Sequence, residues 1–358
     1  MQRALIVIAM LALVIASIAA GTLAAHWPFW QRAWQWHSAP QGWPAQLNGP
    51  TLTLLPATMP MPLAITVDPM LAALSRGSGT SLLLLSAGDG STRAYFAQGA
   101  SEQTLVDGRE LGNALLVLLY GALIQQGHAH LLDEPIGNVI AQWHDDPRGA
   151  ITPRQLLWQL SGLAGGPFSP LNPFSPMAQL ASGPDFERAA LGTPLRFPPG
   201  SHYMASPANA QLLALVATRV TGESHAAALQ RNLWSRLAAQ PAIAMLDHRR
   251  GEIAAHCCFT ASAGDWLRVG LVLANGGRVQ DQQILAADFV QQVATSSPVN
   301  PGQGLGFQVV AGAAGHRLLQ LATTGRRLIV EPDSHRALLW VGTGEPPDGL
   351  GDLLLQGQ

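Results

Sequence analysis

The sequence contains no lysine: all 20 of the basic residues among its 358 residues are arginines. Arginine stays protonated in proteins, with a pKa above about 12, so it cannot act as the neutral base that a desolvated lysine provides. Every mechanism that needs a lysine is therefore excluded. Charged residues make up only 12% of the chain, well below the roughly 25% of an average soluble domain. The net charge of −2 excludes a polybasic nucleic-acid-binding protein, and no nucleic-acid partner is expected.

Cysteine is also scarce, since Cys257 and Cys258 are the only two and they are adjacent. The Cα atoms of neighbouring residues lie about 3.8 Å apart. Disulfide geometry usually needs a Cα separation of roughly 4.4–6.8 Å. We therefore predict no disulfide and no cysteine metal site, and we expect both residues to behave as small buried apolar side chains.

One long apolar run is present at the N-terminus, where residues 4–25 carry no charge. As a helix this run would span roughly 33 Å, which is enough to cross a bilayer core. A cleavable signal sequence has a shorter apolar region, of about 7–15 residues. The tryptophan-rich residues 27–36 that follow are typical of a membrane–water interface. The sequence favours an uncleaved anchor, with residues 1–3 as a cytoplasmic stub, and leaves signal cleavage open.

Hydropathy patterning divides the rest of the chain into a linker and a folded domain. Residues 26–62 are rich in tryptophan and proline and are predicted to be a juxtamembrane linker. Residues 63–358 are predicted to form an α+β domain, with sheet parts at about 70–105 and 255–358 and a mainly helical part at about 128–254. The periodicity predicts strands at 81–86, 92–97, 305–311, 317–322, 327–331 and 337–342, and helices at 108–126, 152–160, 206–220, 225–238, 262–275 and 286–294.

Four motifs occur in a characteristic order along this domain. They are Ile151-Thr152-Pro153-Arg154-Gln155-Leu156-Leu157 with Ser161-Gly162-Leu163; Phe197-Pro198-Pro199-Gly200 with Val220-Thr221-Gly222; Phe259-Thr260-Ala261-Ser262-Ala263-Gly264-Asp265-Trp266-Leu267-Arg268 with Gly276-Gly277; and Glu331-Pro332-Asp333. The series resembles the class C β-lactamase-like, penicillin-binding-protein-like serine hydrolases, in particular their 6-aminohexanoate-dimer hydrolase-like branch. The resemblance covers about 70–345 and implies a β-lactamase/transpeptidase-like fold.

The resemblance also locates the positions at which that family carries its catalytic groups. The family uses a Ser-x-x-Lys pair for nucleophilic attack, a Tyr-x-Asn pair, and a Lys-Thr-Gly or His-x-Gly motif on a strand. The serine and lysine positions fall on Glu110 and Asn113, and the tyrosine and asparagine positions fall on Ala205 and Pro207. The nearest remnant of the third motif is Thr323-Thr324-Gly325. The first two motifs are therefore absent, and the family's proton shuttle cannot operate.

The leading functional hypothesis is a non-catalytic member of that family. It would use the retained cleft to bind a peptide, an amide, a cell-wall-like ligand or another envelope protein. The expected ligand-binding residues are Glu110, Asn113, Tyr203, Ser206, Thr323, Thr324 and Gly325. No cofactor and no metal are expected. Resemblance to exported proteins places the domain on the periplasmic side of a bacterial-type inner membrane.

Two other functional hypotheses stay open. The first is an amide or ester hydrolase with a relocated nucleophile, Ser206, which lies four residues after His202. The second is a structural component of a membrane complex. Plain structural interpretations compete with the catalytic ones. Glu110 would close a capping box with Asp107, Ser206 would cap a helix before Pro207, and Tyr203 would pack in the core.

Histidine-containing segments invite metal or cysteine chemistry, but the spacing gives weak support. His128 and His130 follow a predicted helix end, where histidine favourably meets the helix dipole. The segment His144-Asp145-Asp146 is no known ligand motif. If residues 256–257 form a strand, His256 and Cys257 point to opposite faces, which disfavours a Cys-His hydrolase.

Overall fold

The computed structural model describes residues 2–38, 50–166, 172–312 and 315–355, with side chains described from residue 8 and, in the first segment, up to residue 34. The helices are α1 (Gln2–Ala25), α2 (Trp27–Ser38), α3 (Pro69–Ser75), α4 (Gly112–Gln125), α5 (Pro153–Leu157), α6 (Pro176–Ser182), α7 (Phe186–Leu191), α8 (Pro207–Thr221), α9 (His225–Leu229), α10 (Ser235–Leu237), α11 (Ala263–Ala274), α12 (Ala287–Val293) and α13 (Leu350–Leu353). The strands are β1 (Thr51–Leu54), β2 (Ala64–Val67), β3 (Thr80–Ala87), β4 (Ser91–Phe96), β5 (Leu105–Asp107), β6 (Ala242–Met245), β7 (Phe259–Ser262), β8 (Arg278–Val279), β9 (Gln282–Gln283), β10 (Gln308–Ala311), β11 (Arg317–Thr323), β12 (Arg326–Glu331) and β13 (Arg336–Gly342).

A seven-stranded sheet joins the two ends of the domain. Its strand order is β10-β11-β12-β13-β3-β4-β2, so β13 pairs antiparallel with β3, from the other end of the domain. A four-stranded sheet, in the order β1-β6-β7-β5, lies beside it. The predicted α+β arrangement, with a sheet built from both ends of the domain, is confirmed. The apolar runs that predicted the last strands pair in register, as in Leu328 with Leu339.

Helix α4 is the central buried helix that the sequence predicted. Its sequence is apolar on nearly every side, and its residues from Ala114 to Leu123 are buried. The Tyr120 hydroxyl donates a hydrogen bond to the Leu213 carbonyl of α8 at 2.9 Å, and burial raises the pKa of Tyr120 well above its ordinary value. This packing fixes α4 against α8. The first turn of α4 therefore has a defined position relative to the start of α8.

The segment predicted as a linker contains regular structure in its described parts. Residues 27–38 form α2, and residues 51–54 form β1, which pairs antiparallel with β6. The Arg268 side chain donates to the Met61 carbonyl at 2.9 Å, and Met61 is buried. Prolines at positions 50, 56, 60 and 62 suggested a linker, but proline is tolerated at the ends of edge strands such as β1. Residues 39–49 lie outside the described part of the chain.

The boundary signals read from the sequence are mostly correct. Thr152 forms the predicted capping box, because its hydroxyl accepts from the Gln155 backbone N–H and the Gln155 side chain accepts from the Thr152 N–H. The helix predicted at 225–238 is instead divided into α9, a π-helical turn at Gln230–Trp234, and α10.

Candidate functional site

A cleft of about 530 Å³ lies between the starts of α4 and α8, helix α6, strand β11 and the loop before β10. Glu110 and Asn113 line it at the start of α4, and Ala205, Ser206 and Pro207 line it at the start of α8. The structure therefore brings together all four positions that the resemblance matched to catalytic residues. They converge because the buried contact of α4 with α8 aligns the first turns of both helices.

The carboxylate of Glu110 is exposed to the cleft rather than engaged in a helix cap. A 3-10 turn at Arg109–Leu111 precedes α4, and Gly108 occupies the capping position. The Asp107 carboxylate accepts from the Arg109 backbone N–H at 3.2 Å, two residues away instead of three. The predicted capping box is therefore wrong. Arg109 has a φ of +47°, so the backbone before α4 does not adopt the geometry of a capped α-helix start.

Glu110 and Asn113 are two free polar groups of the cleft. Among the described residues, neither side chain forms a hydrogen bond or a close ion pair with another protein group. Arg326 lies nearby, where its Nε donates to the Asp107 carbonyl at 2.9 Å. Burial and the neighbouring Arg109 lower the pKa of Arg326, while Asp107 and Glu110 oppose that shift. An unpaired carboxylate beside an unpaired amide can accept and donate hydrogen bonds to a bound molecule.

Ser206 lies in the cleft wall but is not paired with a base. Its hydroxyl donates to the Ala164 carbonyl at 2.8 Å. Ser206 and Pro207 are the N-cap and the first residue of α8, as the sequence predicted, although the Ser206 side chain makes no capping hydrogen bond. His202 stacks on Phe197 with ring centroids 4.2 Å apart, and its Nδ1 contacts the Ser201 hydroxyl at 2.9 Å. The proposed pairing of His202 with Ser206 is therefore not formed.

Tyr203 also differs from the interpretation that placed it in the core. Its side chain is 42% exposed and lines the cleft, with its hydroxyl 3.5 Å from Gln303 Oε1. The aromatic ring thus provides an apolar face at the mouth of the site. Its expected position among the ligand-binding residues agrees with the structure, and its role there stays a prediction.

The third motif is displaced from its expected position. Gln320, Leu321 and Ala322 of β11 line the cleft. Thr323 ends β11, and Thr324 and Gly325 form the turn to β12, where Gly325 has a φ of +74°. The three residues named as ligand-binding therefore lie just beyond the stretch of β11 that forms the wall. A short strand leaves its register uncertain by a few residues in sequence, which explains the error.

Side-chain amides that the sequence did not single out form much of the cleft surface. Gln159, Gln303, Gln308 and Gln320 come from four separate segments, so no local pattern could reveal them. The Gln320 amide donates to Gln308 Oε1 at 3.1 Å, and Gln159 Oε1 accepts from Asn209 Nδ2 at 2.7 Å. Glu110 is the one acidic residue, and no arginine is present, among the described residues that line the cleft.

The two cysteines form a disulfide between adjacent residues, so the prediction of no disulfide is wrong. The usual range of Cα separations describes bridges between distant segments, whereas neighbouring cysteines can close a small ring. Cys258 has a φ of +63° and packs with Phe186, Met245 and Ala254. Cys257 faces the cleft. A disulfide-bonded sulfur is not a thiolate nucleophile, which removes the Cys-His hydrolase alternative.

His256 lies beside this disulfide and also lines the cleft. Residues 255–257 form a turn, not a strand, so His256 and Cys257 do not alternate across a sheet as expected. Both ring nitrogens of His256 are buried without a hydrogen-bond partner in the described structure. Burial lowers its pKa to about 4, so the ring is neutral at pH 7. A neutral ring next to a disulfide forms a weakly polar part of the wall.

Replacing both cysteines, as Cys257→Ser with Cys258→Ser, is expected to lower the free energy of unfolding by only about 1 kcal/mol. The disulfide closes a loop of two residues, so it removes little entropy from the unfolded chain. Urea unfolding measures this change. In a matched assay, alkylation of the denatured wild type should modify no cysteine before reduction and both after it. Alkylation without reduction would show that the bond is absent.

One group of potential metal ligands is found in the described structure, away from the histidine segments considered in the sequence. The donor atoms of His316, Glu331 and Asp333 all lie within 4.8 Å of one another. They are at the ends of β11 and β12, and His316 Nδ1 is 3.3 Å from Glu331 Oε1. A histidine–carboxylate pair accounts for this contact. The group does not line the cleft, so it has no part in the site.

The sheet, the buried α4 and the cleft at its first turn define a serine-hydrolase-like α+β fold. The Beta-lactamase family model matches residues 114–351, and the chain therefore belongs to the β-lactamase family. The family resemblance read from the ordered motifs is confirmed. No curated protein matches the sequence.

Solved structures share this fold at low sequence identity. A Bacillus anthracis protein provisionally named a 6-aminohexanoate-dimer hydrolase is 16% identical, with a TM-score of 0.70, covering 86% of this chain and 88% of that one. The octameric penicillin-binding protein homologue from Pyrococcus abyssi is 14% identical, with a TM-score of 0.56, over 80% and 75% of the two chains. A D-stereospecific amidohydrolase from Streptomyces is 16% identical, with a TM-score of 0.54, over 79% and 94%. These likenesses support the fold alone.

Proposed function

We propose that this protein binds an amide-bearing, peptide-like ligand in the cleft and does not hydrolyse it. The observation that carries the proposal is the pair of free polar groups, Glu110 and Asn113, at the first turn of α4. They occupy the positions where the family carries its nucleophile and its lysine. The chain has no lysine at any position. The site therefore keeps its shape and its hydrogen-bonding capacity without its catalytic pair.

The lining favours amides over carboxylates. The free Asn113 amide and the unpaired atoms of the Gln308 and Gln320 amides offer donors and acceptors that complement a peptide group. The Gln303 amide nitrogen and Gln159 Oε1 already bond to protein groups. Glu110 repels a carboxylate, and the described lining residues include no arginine to hold one. A buried carboxylate needs a cationic partner or several donors to offset its desolvation. We infer a ligand that is neutral or carries an amine at the end that meets Glu110.

The alternative hydrolase with Ser206 as nucleophile gains little support from the geometry. The Ser206 hydroxyl donates its proton to a backbone carbonyl, and its backbone N–H donates to Gln159 Oε1 at 3.2 Å. No titratable side chain of the described residues forms a hydrogen bond with it. Activating a serine needs an adjacent general base.

Two features together support a location for the domain. Among the described residues, one helix, α1, is long and apolar enough to span a membrane, with a mean hydropathy of 2.3 over Ile8–Ala25, although a signal sequence would pass the same test. Disulfides persist in oxidising compartments and are rare in the bacterial cytosol. We propose that α1 anchors the chain in the inner membrane and that the domain carrying the Cys257–Cys258 disulfide faces the periplasm.

Binding is tested with alanyl-alanine amide, in its L,L and D,D forms, and with the matching free acids. We expect the full chain in detergent to bind an amide more tightly than its acid in calorimetry and ligand-observed NMR. Asn113→Leu is expected to weaken amide binding about tenfold or more, because it leaves ligand groups unpaired. Glu110→Gln is expected to reduce the preference for the amide over the acid.

The matched control is Glu134→Gln, since Glu134 is exposed and does not line the cleft. This variant removes the same charge and should bind as the wild type does. Binding of neither amide, or equal binding of amide and acid, would contradict the proposed ligand class. Loss of binding in Glu134→Gln would attribute the effect to net charge rather than to the cleft.

A further inference from the structure

Helix α2 packs directly on the helix that forms one wall of the cleft. Phe29 and Ala33 of α2 are only 1% and 5% exposed, and they cluster with the buried Ala178 of α6. Arg32 Nη1 donates to the Gly183 carbonyl, immediately after α6, at 2.8 Å. Arg32 Nη2 also donates to the Asp247 carbonyl. The helix after the proposed anchor is therefore fixed to the domain by apolar and polar contacts.

The same α6 helix lines the cleft with a neighbouring side. Met177, Leu180 and Ala181 contribute to the wall. One helix of seven residues is therefore shared by the docked α2 and the ligand site. A ligand in the cleft and helix α2 contact adjacent sides of one short element.

A ring contact places Phe174, which precedes α6, beside the end of the apolar helix α1. His26 directly follows α1, and its ring centroid is 5.2 Å from that of Phe174 in an edge-to-face arrangement. Phe174 is 71% exposed and Trp27 is 56% exposed. Met177 follows Phe174 by three residues, so their Cα atoms are at most about 11 Å apart. The wall of the cleft therefore begins close to the level at which a membrane span would end.

The distance of 5.2 Å between the rings of His26 and Phe174 is comparable with the thickness of the polar layer of a bilayer. The headgroup region on each side of the hydrocarbon core is about 5–8 Å thick. Exposed aromatic residues such as Trp27 and Phe174 are favourable in this layer, because they combine apolar rings with an interfacial position. We propose that Trp27 and the exposed Phe174 rest on the bilayer surface, and that the cleft takes the amide headgroup of an amphiphile held in the membrane. This inference rests on the proposed function and names the source of its ligand.

The first test measures contact with lipid directly. The full chain is reconstituted in phosphatidylcholine vesicles with p-benzoylphenylalanine at position 174, and ultraviolet light cross-links it to labelled phospholipid. The matched control places the same group at Met70, which is 45% exposed. Met70 lies on α3, away from α6: its neighbour Leu71 belongs to a hydrophobic cluster that contains no α6 residue. We expect strong lipid labelling at 174 and little at 70, and equal labelling would overturn the proposal.

The second test asks where the ligand comes from. In the same vesicles, N-dodecanoyl-alanyl-alanine amide is compared with N-acetyl-alanyl-alanine amide. Ala33→Glu introduces a charge into the contact of α2 with α6 and is expected to weaken binding of the dodecanoyl ligand about tenfold, leaving acetyl binding unchanged. Gln31→Glu adds the same charge on an exposed face and is expected to have no effect.

The outcomes separate this inference from the function on which it rests. Equal weakening of both ligands by Ala33→Glu, or no weakening of either, would overturn the membrane source while leaving ligand binding intact. Binding of neither ligand by the wild type would overturn the proposed function and, with it, the ligand's source. Lipid labelling at position 174 would then support only the placement of Phe174 on the bilayer.

Discussion

Asp265→Ala is expected to lower the free energy of unfolding by about 3–5 kcal/mol, because it breaks a buried ion pair and leaves an arginine uncompensated. Asp265 has no exposed surface. Its carboxylate accepts from the backbone N–H groups of Ala239 and Gln240 at 2.6 and 3.0 Å and from the Ser262 hydroxyl at 2.7 Å. Arg268 pairs with it at 3.0 Å and is itself buried. One side chain thus connects α11, the loop before β6 and the end of β7.

Urea unfolding of Asp265→Ala measures the loss, with Asp281→Ala as the matched control. Asp281 is exposed, so its replacement should change the free energy of unfolding by no more than about 0.5 kcal/mol. A loss of under 1 kcal/mol for Asp265→Ala would show that the network contributes little. The aspartate and arginine of the family-like motif at 259–268 would then have no structural explanation here.

Acid is expected to destabilise the fold between pH 6.5 and pH 4. His225 is 1% exposed, and burial lowers its pKa to about 4. In the unfolded chain its pKa returns to about 6.5. The unfolded state therefore binds a proton in this interval that the folded state does not, so stability falls as the pH falls. The shift corresponds to about 3 kcal/mol, present above pH 6.5 and lost by pH 4.

His256 acts in the same direction, because burial also lowers its pKa to about 4. Protonation of its ring would place a charge in the cleft wall beside the disulfide, so acid should weaken ligand binding as well as folding. Glu252 has the opposite effect. Burial raises its pKa, so as the pH falls the folded state binds this proton before the unfolded state does. Two histidines outweigh this one opposing carboxyl, so the net slope of stability against pH stays positive.

Urea unfolding at pH 7, 5.5 and 4.5 measures the effect. His225→Gln should flatten the dependence, because it removes the titrating ring, and the exposed His144→Gln should leave it unchanged. An identical pH dependence in the wild type and in His225→Gln would contradict a buried neutral histidine at this position.

Most of the fold could be predicted from the sequence, because helices and strands leave periodic or local patterns in it. The uninterrupted apolar run of α4 predicted a buried helix, and the Thr152 capping box fixed the start of α5. The distance from Gly127, near the end of α4, matches Glu110 and Asn113 to the family's catalytic positions, and both residues line the cleft although α4 begins later than predicted, at Gly112. The displaced third motif shows the opposite case. A seven-residue strand can shift its register without changing its composition.

The rest of the site depends on contacts between distant segments, which no local pattern encodes. The four glutamines of the cleft lie on segments that are distant in sequence and become neighbours only in the folded structure. Ser206 is the N-cap residue of α8 as expected, but its hydroxyl donates to the carbonyl of Ala164, 42 residues away, which no local pattern encodes. The disulfide escapes prediction for another reason, because the usual range of Cα separations describes cysteines far apart in sequence, whereas Cys257 and Cys258 are adjacent. Each of these differences between prediction and structure has a physical cause in the folded chain.

We propose that this chain keeps a binding cleft on the β-lactamase fold without the family's acyl-transfer chemistry. The most direct measurement incubates the full chain with a fluorophosphonate probe, a chromogenic cephalosporin and a short-chain nitrophenyl ester. We predict no covalent labelling by intact mass and no turnover above the rate without protein. Labelling or turnover that disappears in Ser206→Ala would contradict the claim and identify Ser206 as a relocated nucleophile.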